Sequence, residues 1–159
     1  MEKYQICPAE PCDIGDIERL LVIIHDVHRN LRPDIFTSGE EVKYTADELA
    51  LLLTRSDCFL RVARVAKKTV GYAIGFFIHK NGNRVSNPAD YLYIDDLCVD
   101  PDYRSLGIGN ALLHAMEDVA KEKGLKSLRL NVYAGNPAER FYSNVGYKPL
   151  SYTLEKKVD

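Results

Sequence analysis

Between residues 99 and 113 the chain reads Val99-Asp100-Pro101-Asp102-Tyr103-Arg104-Ser105-Leu106-Gly107-Ile108-Gly109-Asn110-Ala111-Leu112-Leu113. An apolar strand ends there, a proline turns the chain, and a helix opens at a pair of glycines. The first amides of a helix have no internal acceptor and lie at the positive end of its dipole. A phosphate or pyrophosphate placed on them satisfies both conditions. Gly107 and Gly109 let such a ligand reach the backbone without a β-carbon in the way, and Arg104 adds charge at the rim. The same glycines could instead only make a turn and pack a helix on a sheet. No Gly-Lys-Ser/Thr follows, which argues against ATP in a Walker loop. Leu112 stands where the dinucleotide fingerprint needs a glycine.

Other reactive side chains give weaker signals. Cys7, Cys12, Cys58 and Cys98 form no Cys-x-x-Cys pair, and no histidine pair sits nearby at ligand spacing. The expectation is therefore no metal, with the cysteines as small buried hydrophobes in a reducing compartment. Of the histidines, His25, His79 and His114 read as structural or solvent-facing, while His28 ends the first helix beside a loop.

These residues need a scaffold. A chain of 159 residues that is 46% hydrophobic suits one domain over 1–159 with its own core. Its formal net charge is −2 with scattered basic residues, so nucleic acid is not an expected partner. The N-terminus lacks a signal-peptide profile, and no apolar run approaches the ~20 residues that span a bilayer. A cytoplasmic protein without a membrane partner is the expectation.

Strands are expected over 4–7, 58–66, 70–79, 91–99, 127–133 and 152–156. A hairpin turn is expected at Lys67-Lys68-Thr69. The first helix runs from an Asp13 N-cap to about Asn30, with Ile14, Ile17, Leu20, Leu21, Ile24 and Val27 on one stripe. A second opens at the capping box Thr45-Ala46-Asp47-Glu48. A third spans 107–124, with Ala111, Leu112, Ala115 and Val119 inward, and a short fourth opens at Pro137. Gly71 and Gly75 mark a close backbone approach in the second hairpin strand. This order gives an α/β layer fold with helices on both faces of one sheet.

The loop Arg104-Ser105-Leu106-Gly107-Ile108-Gly109 resembles the R/Q-x-x-G-x-G/A signature of the GNAT superfamily of N-acetyltransferases. The resemblance extends over the strand Tyr93-Ile94-Asp95-Asp96-Leu97-Cys98-Val99. It continues through Asn136-Pro137-Ala138-Glu139-Arg140-Phe141-Tyr142 and Gly146-Tyr147. It implies a single mixed, mostly antiparallel sheet flanked by helices, and acetyl-CoA as acetyl donor. It places the pyrophosphate on the amides of Ser105, Leu106, Gly107, Ile108, Gly109 and Asn110, beside Arg104. The pantetheine arm then runs along the backbone of Leu97, Cys98 and Val99, where an N–H can stabilise the oxyanion. A bulge at Asp95-Asp96 would accompany the separation of this strand from the next.

The resemblance also assigns roles. Asn136 matches the family residue that holds the cofactor arm, and Tyr142 the tyrosine that protonates the departing thiolate. A lysine-like amine has a pKa of about 10.4, so a base is useful. Asp95 stands where polyamine-type members carry Glu. Asp96 and a water chain are the other candidates for this base. His28, Arg32, Phe36 and Tyr133 are expected near the acceptor amine. The expected reaction is direct transfer to a small primary amine in a ternary complex. The rivals are acetylation of a peptide N-terminus, a non-catalytic acyl-CoA-binding module, and a covalent route through Cys98. A homodimer is compatible with the resemblance, though no residue locates an interface.

Overall fold

The computed structural model describes residues 3–158. The elements run β1 (Tyr4–Pro8), α1 (Ile14–Leu31), α2 (Ala46–Leu52), β2 (Cys58–Val65), β3 (Lys68–Lys80) and β4 (Ala89–Val99). They continue with α3 (Ile108–Glu122), β5 (Leu128–Arg129) and α4 (Ala138–Asn144). The strands form one sheet in the order β1-β2-β3-β4-β5. The first four are antiparallel, and β5 joins β4 in parallel. Among the described residues no helix is long and apolar enough to cross a membrane.

Two cores cover the two faces of the sheet. On one, Ile17, Leu20 and Leu21 of α1 and Leu49 and Leu52 of α2 meet Leu60, Val62, Tyr72 and Ile74. On the other, Ile108, Leu112, Met116 and Val119 of α3 meet Ala63, Val70, Ala73, Leu92 and Ile94. Full burial of each large aliphatic side chain contributes roughly 1.5–3 kcal/mol. The buried stripe of α3 is therefore centred on Leu112 and Met116, and Ala111 and Ala115 are only half-buried. On α1, Val27 is exposed. The close approach expected at the glycines of β3 is present. A β-carbon on Gly71 would lie 3.2 Å from the Cys98 carbonyl oxygen and 3.3 Å from Leu112 Cδ1.

Several expected features take another form. The hairpin turn falls at Ala66 and Lys67, with Ala66 at φ 53°, because Lys68 and Thr69 already pair with β2. Asp13 makes no side-chain cap on α1. It is buried and accepts from Arg64 Nε (2.8 Å), Thr69 Oγ1 (2.6 Å) and the Glu10 amide (2.7 Å). The Thr45 capping box forms as expected.

The strand expected over 127–133 is reduced to the two residues of β5, which pair with Leu92 and Tyr93. Two residues beyond Tyr93, β4 bulges: Gly75 faces Ile94 and Ile74 faces Asp96, so Asp95 is the extra residue. A bulge bends its strand and ends local pairing. It also exchanges the faces of β4. Leu92 and Ile94 lie in the α3 core, whereas Cys98 lies in the core under α1 and α2. The expected last strand over 152–156 does not form, and residues 147–158 carry no helix or strand. Tyr152 and Leu154 alternate as in a strand but project into solvent, 79% and 91% exposed. Alternation without a partner strand does not make one.

Candidate active site

The glycine loop is held from below by buried charge. The Asp100 amide donates to the Val70 carbonyl (2.8 Å), which fixes the point where β4 ends. The Asp100 carboxylate accepts from the Asp102 amide (3.1 Å) and from Arg19 Nη1 of α1 (2.8 Å). Burial alone would raise the Asp100 pKa, but these donors hold it below the ordinary carboxylate value. Asp16 of α1 accepts from the Thr69 amide (2.8 Å), so the helix is tied to both β3 and the loop.

Above this anchor the backbone takes unusual turns. Ser105 has φ 66° and Gly107 has φ 80°. Alternation of this kind turns successive amides towards one side, a concavity suited to anions. Strain at the non-glycine Ser105 is a mark of functional loops. The amides of Ile108, Gly109 and Asn110 open α3 and have no intrahelical acceptor. Leu106 is 38% exposed beside them. Arg104 is exposed at the rim, where its Nε donates to the Val99 carbonyl (3.2 Å).

From this loop β4 runs back with one edge unpaired, because β5 reaches only Tyr93. The edge carries Leu97, Cys98 and Val99. The Leu97 amide donates to Asp96 Oδ1 (3.0 Å). A carbonyl that sought this amide would compete with that carboxylate. Cys98 is buried in the α1 core, and burial pushes its thiol up to about 12.

The other wall comes from α4. Phe141 rests on Gly109, where a β-carbon would lie 3.2 Å from its ring. This contact fixes α4 against the first turn of α3. Asn136 accepts from the Ala138 amide through Oδ1 (2.9 Å), which starts α4 and leaves its own amide group outside that bond. Tyr142 packs between Phe141 and Tyr147, at ring distances of 5.2 Å and 5.6 Å. Burial, reinforced by the nearby Asp96 carboxylate, pushes its phenol up to about 12.

At the bulge the two carboxylates diverge. Asp96 is buried, and that burial pushes its carboxyl up to about 6. Lys43 opposes the rise and Asp95 adds to it. Tyr72 lies close enough to favour the Asp96 carboxylate, yet its buried hydroxyl makes no hydrogen bond of ordinary geometry. Asp95 is more open. Its Oδ2 accepts from Tyr44 Oη (2.6 Å) and meets Lys43 Nζ at 2.9 Å.

The four residues expected near an acceptor do come together. His28 stacks on Phe36 at 5.1 Å, Phe36 meets Tyr133 edge-on at 5.4 Å, and the Arg32 guanidinium lies 5.6 Å above Tyr133. Burial, with Lys43 and His25 adding to it, lowers the His28 pKa and favours a neutral ring. Arg32 is bound by two hydrogen bonds to Asp34 (2.9 and 2.8 Å), so its charge is already matched. Sequence reasoning missed Arg19, Asp100, Lys43 and Tyr44. The Asp100-Pro101 step was a turn signal for the first anchor. No local pattern links Lys43 or Tyr44 to a strand some 50 residues on.

Comparison with known proteins bears on the family and the fold. The profile of the Acetyltransferase (GNAT) family matches residues 24–147. Pig (Sus scrofa) thialysine N-epsilon-acetyltransferase is 31% identical over 83 residues, 52% of this chain and 46% of that protein. The [ribosomal protein bS18]-alanine N-acetyltransferase of Escherichia coli K12 is 30% identical over 80 residues, 46% of this chain and 54% of that protein. The match thus spans about half the length of these curated relatives. Among solved structures, a tetramutant of the BH1408 protein of Bacillus halodurans superposes with TM-score 0.89 and 26% identity. That superposition covers 97% of this chain and 99% of that one. With most of its length matched by the family profile, the chain belongs to the acetyltransferase (GNAT) family.

Proposed function

We propose that the protein is an N-acetyltransferase that moves the acetyl group of acetyl-CoA to the primary amine of a small molecule. The observation that carries this reading is the free edge of β4. It runs from an anion-suited loop at Ser105 and Gly107 to the carboxylates of the bulge and Tyr142. Acetyl-CoA supplies an activated acyl group. The amides from Ser105 to Asn110 and the Arg104 side chain hold its pyrophosphate, with Leu106 and Ile108 in the same turn. The β4 backbone at Leu97, Cys98 and Val99 and the Asn136 amide position the arm.

Asp95 takes a proton from the acceptor, directly or through water, with Asp96 behind it as the alternative. Tyr142 stays protonated through neutral pH and supplies a proton to the departing sulfur. Transfer is direct. Cys98 is buried on the wrong face and its thiol is far from ionising, so a covalent route lacks its nucleophile. The aromatic wall of His28, Phe36 and Tyr133 beside an acidic floor suits an amine with a flat or apolar body. Arg32, matched by Asp34, offers little to an acceptor carboxylate. The free cysteines at positions 7, 12, 58 and 98 fit a cytoplasmic enzyme.

The similarity to the ribosomal protein alanine N-acetyltransferase favours a second reading, a peptide α-amine as acceptor. A CoA-release assay over small amines and peptides, with mass spectrometry of the products, separates the two. Release with small amines alone supports the first reading. Acetylated peptides alone support the second. Tight acetyl-CoA binding without release in any arm would leave a non-catalytic binding module.

A further inference from the structure

The acidic floor of the acceptor site already holds an amine. Lys43, on the loop between α1 and α2, puts Nζ 2.9 Å from Asp95 Oδ2 and 2.9 Å from the Asp95 carbonyl oxygen. Its ammonium lies 5.8 Å from the centre of the Tyr44 ring, and that same tyrosine donates to Asp95. Its charge is felt by His28, Tyr93 and Asp96, which places it at the centre of the site rather than at its margin. Yet it is not sealed in, since its side chain is 46% exposed and rides on a flexible four-carbon stem. It thus has the chemistry, position and freedom of an acceptor.

We propose that Lys43 is an internal acceptor: the chain acetylates its Nζ in cis, and the resulting amide releases Asp95. This rests on the acetyltransferase reading above. The lysine ammonium gives one proton to Asp95, which passes it to solvent. The neutral nitrogen attacks the thioester carbonyl carbon of acetyl-CoA. A C–N bond forms and the C–S bond breaks. The nitrogen's second proton is lost as the amide forms, and the sulfur leaves as the CoA thiol with a proton supplied through Tyr142. The products are N-acetyl-Lys43, CoA and one proton. An acetylated Lys43 carries no charge, so it no longer competes with an external cationic amine for Asp95. The modification is then self-limiting and opens the site.

The test compares two acetyl donors on the intact protein, with peptide mass mapping as the readout. Acetic anhydride reports the intrinsic reactivity of each lysine. There Lys43, whose Nζ is engaged by Asp95 Oδ2 at 2.9 Å, should be slower than the exposed Lys67, Lys121 and Lys126. Deuterated acetyl-CoA should reverse the order. Lys43 should be marked at least about tenfold faster than those three, the advantage of an amine held beside the reacting centre. That rate should not change with protein concentration, and Asp95→Asn should remove the preference. Equal ranking of Lys43 with both donors would overturn the proposal, as would a rate that scales with protein concentration. Acetyl-CoA binding measured calorimetrically in parallel separates the two levels. Binding with no preference for Lys43 defeats only this inference, whereas no binding defeats the acetyltransferase reading as well.

Discussion

Burial raises the pKa of both Asp96 and Tyr142, and the Asp96 carboxylate adds to the rise at Tyr142. For Tyr142 the consequence bears on the proposed role as general acid. A phenol pushed up to about 12 is fully protonated at neutral pH, so its O–H is available to the sulfur as negative charge develops there. Tyr142→Phe should lower kcat by roughly ten- to a thousandfold, the scale of a lost general acid, with acetyl-CoA affinity held. Unchanged kcat would remove the role. For Asp96 the consequence reaches stability. Its folded value, about 6, lies above that of an unfolded carboxylate. Its contribution is therefore whole below about pH 4 and lost as pH rises through about 6, where a charge must sit buried. Asp96→Asn keeps the shape and the acceptor for the Leu97 amide but cannot ionise. Its unfolding free energy in urea denaturation should gain on the wild type as pH rises from about 4 to 7, by up to about 3 kcal/mol. A difference that stays flat across that range would show that the carboxylate is not penalised.

At the scale of elements, the loop between β4 and α3 depends on backbone shape more than on side chains. Gly107 and Gly124 allow a clean comparison. Both have positive φ, 80° and 69°, and a β-carbon on either meets nothing closer than 3.7 Å. Alanine at either position should cost roughly 1–2 kcal/mol in urea denaturation, the strain of a left-handed residue. Only Gly107→Ala should also weaken acetyl-CoA, by about tenfold or more, equivalent to about 1.4 kcal/mol. Equal binding by both variants would reduce the loop to a packing turn. This loop was legible in the sequence because its chemistry is contiguous: the glycines and Arg104 follow directly on the end of the strand at Val99. The bulge at Asp95 was legible only as a place where one would serve. The parts that were not legible join distant segments. Arg19 reaches Asp100 across 81 positions, and Tyr44 reaches Asp95 across 51. Nor did alternation at Tyr152 and Leu154 make a strand. Pairing needs a neighbour, and the bulge in β4 ends the one that 127–133 was expected to supply.

Across the whole molecule, one track of backbone outside the strand pairing runs from the first turn of α3 along β4 to the carboxylates. The helices on the two faces brace it from opposite sides. α1 holds the loop through Arg19, and α3 packs under β3 and β4 through Leu112 and Met116. A ligand that fills the track therefore binds the folded state and finds no equivalent in the unfolded chain. Its stabilisation is set by concentration over Kd, roughly 2.7 kcal/mol at about 100 times Kd. For a chain of this size that is a rise in Tm of about 5–10 °C. Acetyl-CoA and CoA should both produce it, because the pyrophosphate and arm are common to them. ATP and NAD should not, because neither carries an arm to lie along β4. A rise with all four would reduce the site to an unselective phosphate loop. No rise with either CoA species at saturation would mean that the free edge of β4 is not a binding track.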